Sequence, residues 1–282
     1  MIHPHAVVSS QAEIHSGVEI GPFSCIEAGV VIGQGCRLAA RVTIKEGTVL
    51  GREVVVGEGS TLGGLPQVAA PVDRAGKVVI GERCVLRENV TVHRSMLADR
   101  QTRVGSDCLL MVGAHVAHDC QVGSRAILTN NVLLGGHVQV GERACLGGAV
   151  AVHQYCRVGK MAMIGGCARI VQDVPPFMMV DGQTGLIVGL NRVGLRRAGV
   201  TPEEALELKE AYRLAYRQGL PFEEMVQRLE DRFPLGLPRE LAEFYRGSHR
   251  GFVQERRSPP KVAIRLHPEA DDDSVETRRL AG

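Results

Sequence analysis

The stretch 104–170 constrains the fold more than any other part of the chain, because an aliphatic residue occupies every sixth position in it. These positions are Val104, Leu110, Val116, Val122, Leu128, Leu134, Val140, Leu146, Val152, Val158, Ile164 and Ile170. An amphipathic helix repeats every 3.6 residues and a half-exposed strand every 2, so neither explains a period of six. We therefore predict a hexapeptide β-helix, in which each repeat forms one short strand and one corner.

Three such repeats complete one coil of a left-handed β-helix, so residues 18 apart stack on successive coils about 4.8 Å apart. The same period runs from Ile2 to Leu62 and resumes at Ile80. Glycine follows several of the aliphatic residues, for example at Gly21 and Gly33. We interpret these glycines as residues that allow unusual dihedral angles at the corners. The predicted fold class is an all-β left-handed parallel β-helix with a C-terminal α-helical domain.

The period is interrupted twice and then ends, which divides the chain into regions. We predict a β-helix over 1–189 with loop excursions at 63–79 and 93–103, the first being long enough to suggest a function. The run from Thr201 to Glu204, TPEE, is typical of a helix start. We accordingly predict an α-helical domain over 190–252. The charged, apolar-poor stretch 253–282 is predicted to be a disordered tail.

Composition excludes several classes of function. The net charge is only +2, with 33 basic and 31 acidic residues, so a general nucleic-acid binder is not expected. The opening MIHPHAVVSS lacks the pattern of a signal peptide, and no apolar run reaches the ~20 residues of a transmembrane segment. We therefore expect a cytoplasmic protein with no transmembrane segment.

The eight cysteines do not show the spacing of a metal site or a disulfide framework. Five of them follow a repeat aliphatic by four residues, in a slot that takes small side chains: Cys36, Cys84, Cys108, Cys120 and Cys156. We interpret them as reduced, buried, small hydrophobic residues.

Stacking by 18 places His118 and Gly136 in the same slot on successive coils. A histidine next to an aspartate, here Asp119, is a standard general-base arrangement. A glycine on the adjacent coil allows its backbone N–H to approach a developing oxyanion closely. This combination suits acyl transfer without a nucleophilic Ser or Cys, and Cys120 is discounted as a nucleophile because its slot points inward.

Two other interpretations remain open at this stage. Histidines on neighbouring coils, namely His115, His118, His137 and His153, could ligate zinc in a trimeric hydratase of the γ-carbonic-anhydrase type. However, side chains that stand side by side on a flat face need not converge on one metal. The chain could also be a non-catalytic trimeric scaffold.

The stretch 113–177 resembles the UDP-N-acetylglucosamine 3-O-acyltransferases that begin lipid A biosynthesis. The motifs AHDC, NNVLLGGHV, VHQ, GGC and QDVPP occur there in the order and spacing of that family, and ENVTVHR precedes them. LRRAGVTPEE, EAYRLAYRQG and FYRGSHRG match its helical domain. The resemblance covers essentially residues 1–250 and leaves the tail outside.

This resemblance implies a homotrimer with sites between subunits, in which a 3-hydroxyacyl chain passes from acyl carrier protein to the 3-hydroxyl of a UDP-sugar. It implies no cofactor other than the phosphopantetheine carried by the acyl carrier protein, and no metal. It assigns the general base to His118, the supporting carboxylate to Asp119 and the oxyanion donor to Gly136. It implies further substrate contacts from Gln67, His115, His137, His153, Gln154, Asn191 and Arg197. Gly166 falls where the family measures acyl length, and glycine there predicts a groove open to a longer chain.

Four positions depart from the family pattern. Val68 and Ala70 replace an acidic residue and a lysine in the first loop, and Val193 and Ala198 replace a glutamate and an arginine. Because these positions concern the nucleotide sugar, an acceptor with a 3-amino group is an alternative to UDP-N-acetylglucosamine.

Overall fold

The repeats form a parallel β-helix with three faces. The computed structural model describes residues 1–70, 72 and 74–256. The first face has nine strands: Val7–Val8, Cys25–Ile26, Thr43–Ile44, Thr61–Gly64, Thr91–His93, His115–Val116, Leu133–Leu134, Ala151–Val152 and Arg169–Ile170. The second has eight: Glu13–Ile14, Val31–Ile32, Thr48–Leu50, Lys77–Ile80, Gln101–Val104, Gln121–Val122, Gln139–Val140 and Arg157–Val158. The third has ten: Glu19–Ile20, Arg37–Leu38, Val55–Val56, Val85–Leu86, Leu109–Leu110, Ile127–Leu128, Cys145–Leu146, Met163–Ile164, Met178–Val180 and Ile187–Leu190.

The repeat aliphatics form the core of this prism. All twelve from Val104 to Ile170 are at most 3% exposed. Burying one such side chain contributes about 1.5–3 kcal/mol. The five cysteines in the small-residue slot are also buried and free, which confirms their interpretation as hydrophobic core residues.

Most corners use a left-handed backbone conformation three residues after the inward aliphatic. Asp107, Asp119 and His137 have φ values of +59°, +62° and +60° at this position. Since Val116 pairs with Leu134 in register, the corner residues three positions later also stack on one another. Side chains at equivalent positions therefore form columns along the edges of the prism.

The glycines that directly follow the aliphatics have a different role from the one predicted. Gly21 and Gly33 do not have positive φ, so the interpretation based on unusual dihedral angles is wrong. A Cβ added at Gly33 would lie 2.5 Å from the carbonyl oxygen of Gly51 on the next coil. Glycine is needed because two coils approach each other too closely for a side chain.

The two excursions are shorter than predicted, and they preserve the phase of the repeat. The loops cover 65–76 and 94–100, while residues predicted to lie in them, such as Gly64 and Lys77, pair in strands. Leu62 pairs with Val92, thirty residues on, which is twelve more than the usual eighteen. Val92 pairs with Val116, twenty-four residues on, an excess of six. Both excesses are multiples of six, so the inward aliphatics stay in register.

Up to residue 256, four helices follow the prism: α1 (Arg192–Arg197), α2 (Pro202–Arg217), α3 (Phe222–Arg232) and α4 (Gly236–Arg246). As the sequence predicts, Thr201 caps α2, and its capping box with Glu204 satisfies two backbone N–H groups. The short helix α1 was not predicted. No helix in the described part of the chain is both long and apolar enough to cross a membrane.

The end of the helical domain returns to the prism. Asp173 is 1% exposed and accepts hydrogen bonds from Arg157 Nε (2.9 Å) and Ser248 Oγ (3.0 Å). Val253 is buried and the Tyr212 hydroxyl donates to Glu255, so residues 253–256 do not belong to a disordered tail as predicted. They are held because apolar and hydrogen-bonding partners are available from the helices. The rest of the predicted tail, 257–282, lies outside the described residues.

Close approach between coils predicts that Gly33→Ala is destabilising. Gly148→Ala is the matched control, because its Cβ would meet no atom closer than 3.6 Å. We expect Gly33→Ala to lose about 1–3 kcal/mol of unfolding free energy through overpacking, measured by urea denaturation. Gly148→Ala is expected to change it by less than about 1 kcal/mol. Equal stability of the two variants would contradict this explanation.

Candidate active site

Most of the predicted site residues gather at one edge of the prism, at the corner that follows the first face. His115 lies on a strand of that face, and Gln67 lies in the loop that leaves it. Along the corner the residues occupy three columns on successive coils. They are Gly135 and His153 in the first, His118, Gly136 and Gln154 in the second, and Asp119, His137 and Tyr155 in the third.

His118 and Asp119 form a hydrogen-bonded pair. The Nδ1 atom of His118 lies 2.9 Å from Asp119 Oδ2, and the histidine is 9% exposed. A carboxylate can only accept, so Nδ1 carries the proton in this bond and Nε2 has a free lone pair. A Cβ added at Gly136 would lie 2.6 Å from His118 Nε2, which shows that the imidazole packs directly against this glycine.

Asp119 is held by groups from the second excursion as well as by His118. The Ser95 hydroxyl donates to Oδ1 (2.5 Å) and the Met96 N–H donates to Oδ2 (3.1 Å). The Asp119 N–H donates to the buried hydroxyl of Thr102 (2.7 Å). Burial opposes ionisation most strongly, but the bonds from Ser95, His118 and Met96 outweigh it and lower the pKa of Asp119. The side chain is therefore a carboxylate near neutral pH.

His137 extends this arrangement to the next coil. Its Nε2 atom lies 3.8 Å from Asp119 Oδ2, and its ring meets that of His118 edge to face at 5.1 Å. The Tyr155 ring stacks on it in parallel, with the centroids 4.5 Å apart. Burial lowers the pKa of His137, against the opposing charge of Asp119. Three rings and a carboxylate thus line this corner.

His115 lies on the face that leads into the corner and is kept neutral. Burial lowers its pKa to about 4, and His93, whose ring centroid is 5.2 Å away, adds to the effect. Thr91 Oγ1 lies 2.8 Å from His115 Nδ1. His93 Nδ1 lies 2.6 Å from the Leu65 carbonyl oxygen, which ties this group to the base of the first loop. His115 is therefore a neutral hydrogen-bonding group across the physiological pH range.

Three predicted residues lie away from this corner, on the side of the third face. Gly166 is exposed at the corner after Met163–Ile164. Arg197 lies close enough to Cys145, on the third face, for its charge to lower the pKa of that thiol, although burial raises it overall. The Asn191 side chain caps α1 by accepting from Gly194 N–H, and its amide donates to the Met161 carbonyl. Asn191 therefore has a structural role within the chain.

The geometry also bears on two alternative interpretations of this corner, a metal site and a cysteine nucleophile. His118, Asp119 and His137 bring potential metal-ligand atoms within 4.8 Å of one another. Yet both Asp119 oxygens already accept hydrogen bonds, and His118 Nδ1 is one of the donors, so the arrangement is that of a hydrogen-bonded pair. Burial raises the pKa of the Cys120 thiol to about 12, which agrees with discounting it as a nucleophile.

Sequence reasoning missed four residues at this corner: Ser95, Met96, Thr102 and Tyr155. Tyr155 could have been found, since it is 18 residues after His137 and 36 after Asp119. The other three come from the second excursion and the strand that follows it. No periodic signal indicates how a loop folds back onto the prism.

Comparison with known proteins agrees with this geometry. Residues 173–253 match the family model described as "Udp N-acetylglucosamine O-acyltransferase; Domain 2". Residues 29–64 match the model described as "Bacterial transferase hexapeptide (six repeats)". The first match covers the end of the prism and the helical domain, and the second lies within the β-helix.

Curated relatives match over nearly their whole length. The acyl-[acyl-carrier-protein]--UDP-N-acetylglucosamine O-acyltransferase of Sulfurihydrogenibium sp. is 53% identical, over 90% of this chain and 94% of the relative. The enzyme of the same name from Paraburkholderia phymatum is 39% identical, over 90% of this chain and 99% of the relative.

Solved structures give the same result. The UDP-N-acetylglucosamine acyltransferase of Francisella novicida superposes with a TM-score of 0.87 at 34% identity, covering 91% of this chain and 95% of the other. That of Bacteroides fragilis gives 0.86 at 33% identity, covering 90% and 100%. The predicted fold, a left-handed parallel β-helix with C-terminal helices, is thereby confirmed. The chain belongs to the family of acyl-[acyl-carrier-protein]--UDP-N-acetylglucosamine O-acyltransferases.

Proposed function

We propose that this protein transfers a 3-hydroxyacyl chain from acyl carrier protein to the 3-hydroxyl of UDP-N-acetylglucosamine, with His118 as general base. The observation that carries this proposal is the contact between His118 Nδ1 and Asp119, which leaves Nε2 free beside Gly136. The reaction is the first step of lipid A biosynthesis and takes place in the cytoplasm. It requires no cofactor beyond the phosphopantetheine of the donor, and no metal.

The geometry supports a direct transfer. His118 Nε2 removes the proton from the acceptor hydroxyl, whose oxygen attacks the thioester carbonyl carbon. The tetrahedral oxyanion is stabilised by the Gly136 N–H, which has no hydrogen-bond acceptor within the described part of the chain. The C–S bond then breaks, and the phosphopantetheine thiolate takes the proton from the imidazolium. Asp119 stabilises that imidazolium without being protonated itself.

The division of the site between two faces supports a homotrimer with sites between subunits. His118 and His115 lie at the first face, whereas Gly166 and Arg197 lie on the side of the third. The outward residues of the third face are apolar for seven successive strands: Val55, Val85, Leu109, Ile127, Cys145, Met163 and Met179. Such a stripe is suited to contact with another protein surface. A neighbouring copy that covers it would bring the two halves of the site together.

The third face also supports an open acyl groove. Gly166 is exposed, and Gly148 occupies the equivalent position one coil earlier. No side chain narrows this edge of the prism at either position. An acyl chain lying along the apolar stripe can therefore extend past Gly166, which supports the expectation of a longer chain.

A groove between α1 and α2 supplies positive charge for phosphate groups. It has a volume of 960 Å³, and its lining includes Arg192, Lys209 and Arg213. Arginine and lysine side chains in such a groove can bind the phosphate of phosphopantetheine or the diphosphate of the sugar nucleotide. Val193, one of the positions that depart from the family pattern, also lines this groove.

A second acceptor is favoured by a specific observation. Val68 is half-buried and Ala70 exposed, so the first loop presents no charge at the positions where the family usually has an acidic residue and a lysine. A sugar nucleotide with a 3-amino group is therefore the alternative acceptor, and the same His118 would serve as its base.

Replacing the general base tests the function. We expect His118→Ala to reduce acyl transfer from 3-hydroxyacyl carrier proteins to UDP-N-acetylglucosamine by about 10²–10⁴-fold. The control is His15→Ala, which removes an exposed histidine on an early coil and should retain full activity. Product formation is measured with a panel of acyl lengths and with the 3-amino acceptor in parallel. An active, folded His118→Ala enzyme would exclude the proposed role.

Charging the apolar stripe tests the trimer. We expect Ile127→Glu to shift the protein from trimer to monomer in light scattering and to abolish activity, because each site needs two subunits. Gln139→Glu, on the second face, is the control and should remain trimeric. A trimeric Ile127→Glu variant would place the interface elsewhere.

The neutral state of His115 predicts a pH-dependent contribution to stability. The unfolded chain takes up a proton at His115 below about pH 6.5, whereas the folded chain does so only near pH 4. In this window the unfolded state binds more protons, so the free energy of unfolding falls as pH falls. We expect His115→Asn to lose less stability than wild type between pH 7.5 and pH 5, measured by urea denaturation. Identical pH dependence in both proteins would contradict the burial of a neutral ring.

A further inference from the structure

The second excursion, 94–100, contacts the catalytic pair through the Asp119 carboxylate. Ser95 is fully buried, and its hydroxyl donates to Asp119 Oδ1 at 2.5 Å. The next residue donates its backbone N–H to Oδ2. Two consecutive residues of the loop thus bind the two oxygens of one carboxylate.

The Ser95 hydroxyl is itself held in place. It accepts a hydrogen bond from the Leu97 N–H (3.1 Å), and the Ser95 carbonyl accepts one from Gly76 N–H (2.9 Å). The Leu97 carbonyl oxygen is a second possible acceptor at 3.2 Å, but the ionised Asp119 carboxylate is closer, at 2.5 Å, and forms the stronger, charge-assisted hydrogen bond. The hydroxyl proton therefore points to Asp119. The loop thereby fixes both the position of Ser95 and the direction of its O–H bond.

Asp119 needs this support because of where it lies. It occupies a left-handed corner position, φ +62°, where the backbone turns from the first face to the second. The Asp119 carboxylate must be oriented so that Oδ2 accepts from Nδ1 of the adjacent His118. Only this orientation keeps Nδ1 protonated and Nε2 free. The Ser95 bond fixes the oxygen that His118 does not use, which prevents the carboxylate from rotating.

We propose that Ser95 is a positioning residue for acyl transfer, which acts by locking the orientation of the Asp119 carboxylate towards His118. This inference rests on the proposed function of the His118 and Asp119 pair. Because Ser95 is fully buried, its side chain is not accessible to a substrate, so its removal is expected to change the rate of the chemical step and leave substrate binding unchanged. The second excursion thus serves as the support of the catalytic carboxylate.

The test compares Ser95→Ala with Ser60→Ala in the full-length protein. Ser60 is also fully buried, but its hydroxyl donates to the Arg87 carbonyl and accepts from the Val90 N–H, away from the site. We expect Ser95→Ala to lower kcat by about tenfold and to leave KM unchanged. This loss is smaller than the roughly 10²-fold cost of fully misplacing a catalytic group, because other hydrogen bonds still hold Asp119. Ser60→Ala should keep the wild-type kcat, and Ser95→Thr, which retains the hydroxyl, should recover most of the lost rate.

A double-mutant cycle shows whether Ser95 acts through Asp119. In an Asp119→Ala background we expect Ser95→Ala to change the remaining rate by less than twofold, since the group it positions is gone. Wild-type kcat in folded Ser95→Ala, or multiplicative losses in the double variant, would overturn the inference. If Asp119→Ala and His118→Ala were themselves fully active, the proposed function would fail instead, so the two failures are distinguishable.

Discussion

The constraint on which the structure depends is the contact between successive coils. The backbones approach so closely that Gly33 cannot carry a side chain, and within regular coils each inward aliphatic rests on its equivalent 18 residues away, as Ile32 does on Leu50. This contact fixes the register along the prism and turns sequence periodicity into columns of side chains. The active corner consists of such columns, so its geometry follows from the same contact that makes the core.

Insertions into this prism are tolerated only if they keep the phase. The excesses of twelve and six residues at the two excursions return the chain to the same inward positions, from Leu62 to Val92 and from there to Val116. A loop that leaves and re-enters in phase is free to fold over the edge of the prism. The second excursion does so and places Ser95 on Asp119, where a regular coil would offer only its own corner residues.

The part of the structure that follows from periodicity could be predicted from the sequence, and the part that depends on loops could not. The stacking of His118 and Gly136, and the burial of the cysteines, follow from counting residues. The contacts of Ser95 and Met96 require knowledge of how an aperiodic loop folds, which no local pattern contains. The role of Gly33 was misread because a glycine needed for a close contact and one needed for positive φ look alike in a sequence.

The distribution of residues over the three faces explains why the prism of one chain does not form a complete active site. A flat face can present a base, a carboxylate and an N–H donor at one edge, but it cannot wrap around a substrate. His118 and Asp119 therefore lie together at one edge of a single chain, while Gly166 and the apolar stripe lie on another face. In the proposed trimer, the convex shape of each prism is converted into a cleft by its neighbour. Substrate enclosure then depends on assembly, whereas the orientation of the base depends only on hydrogen bonds within one chain.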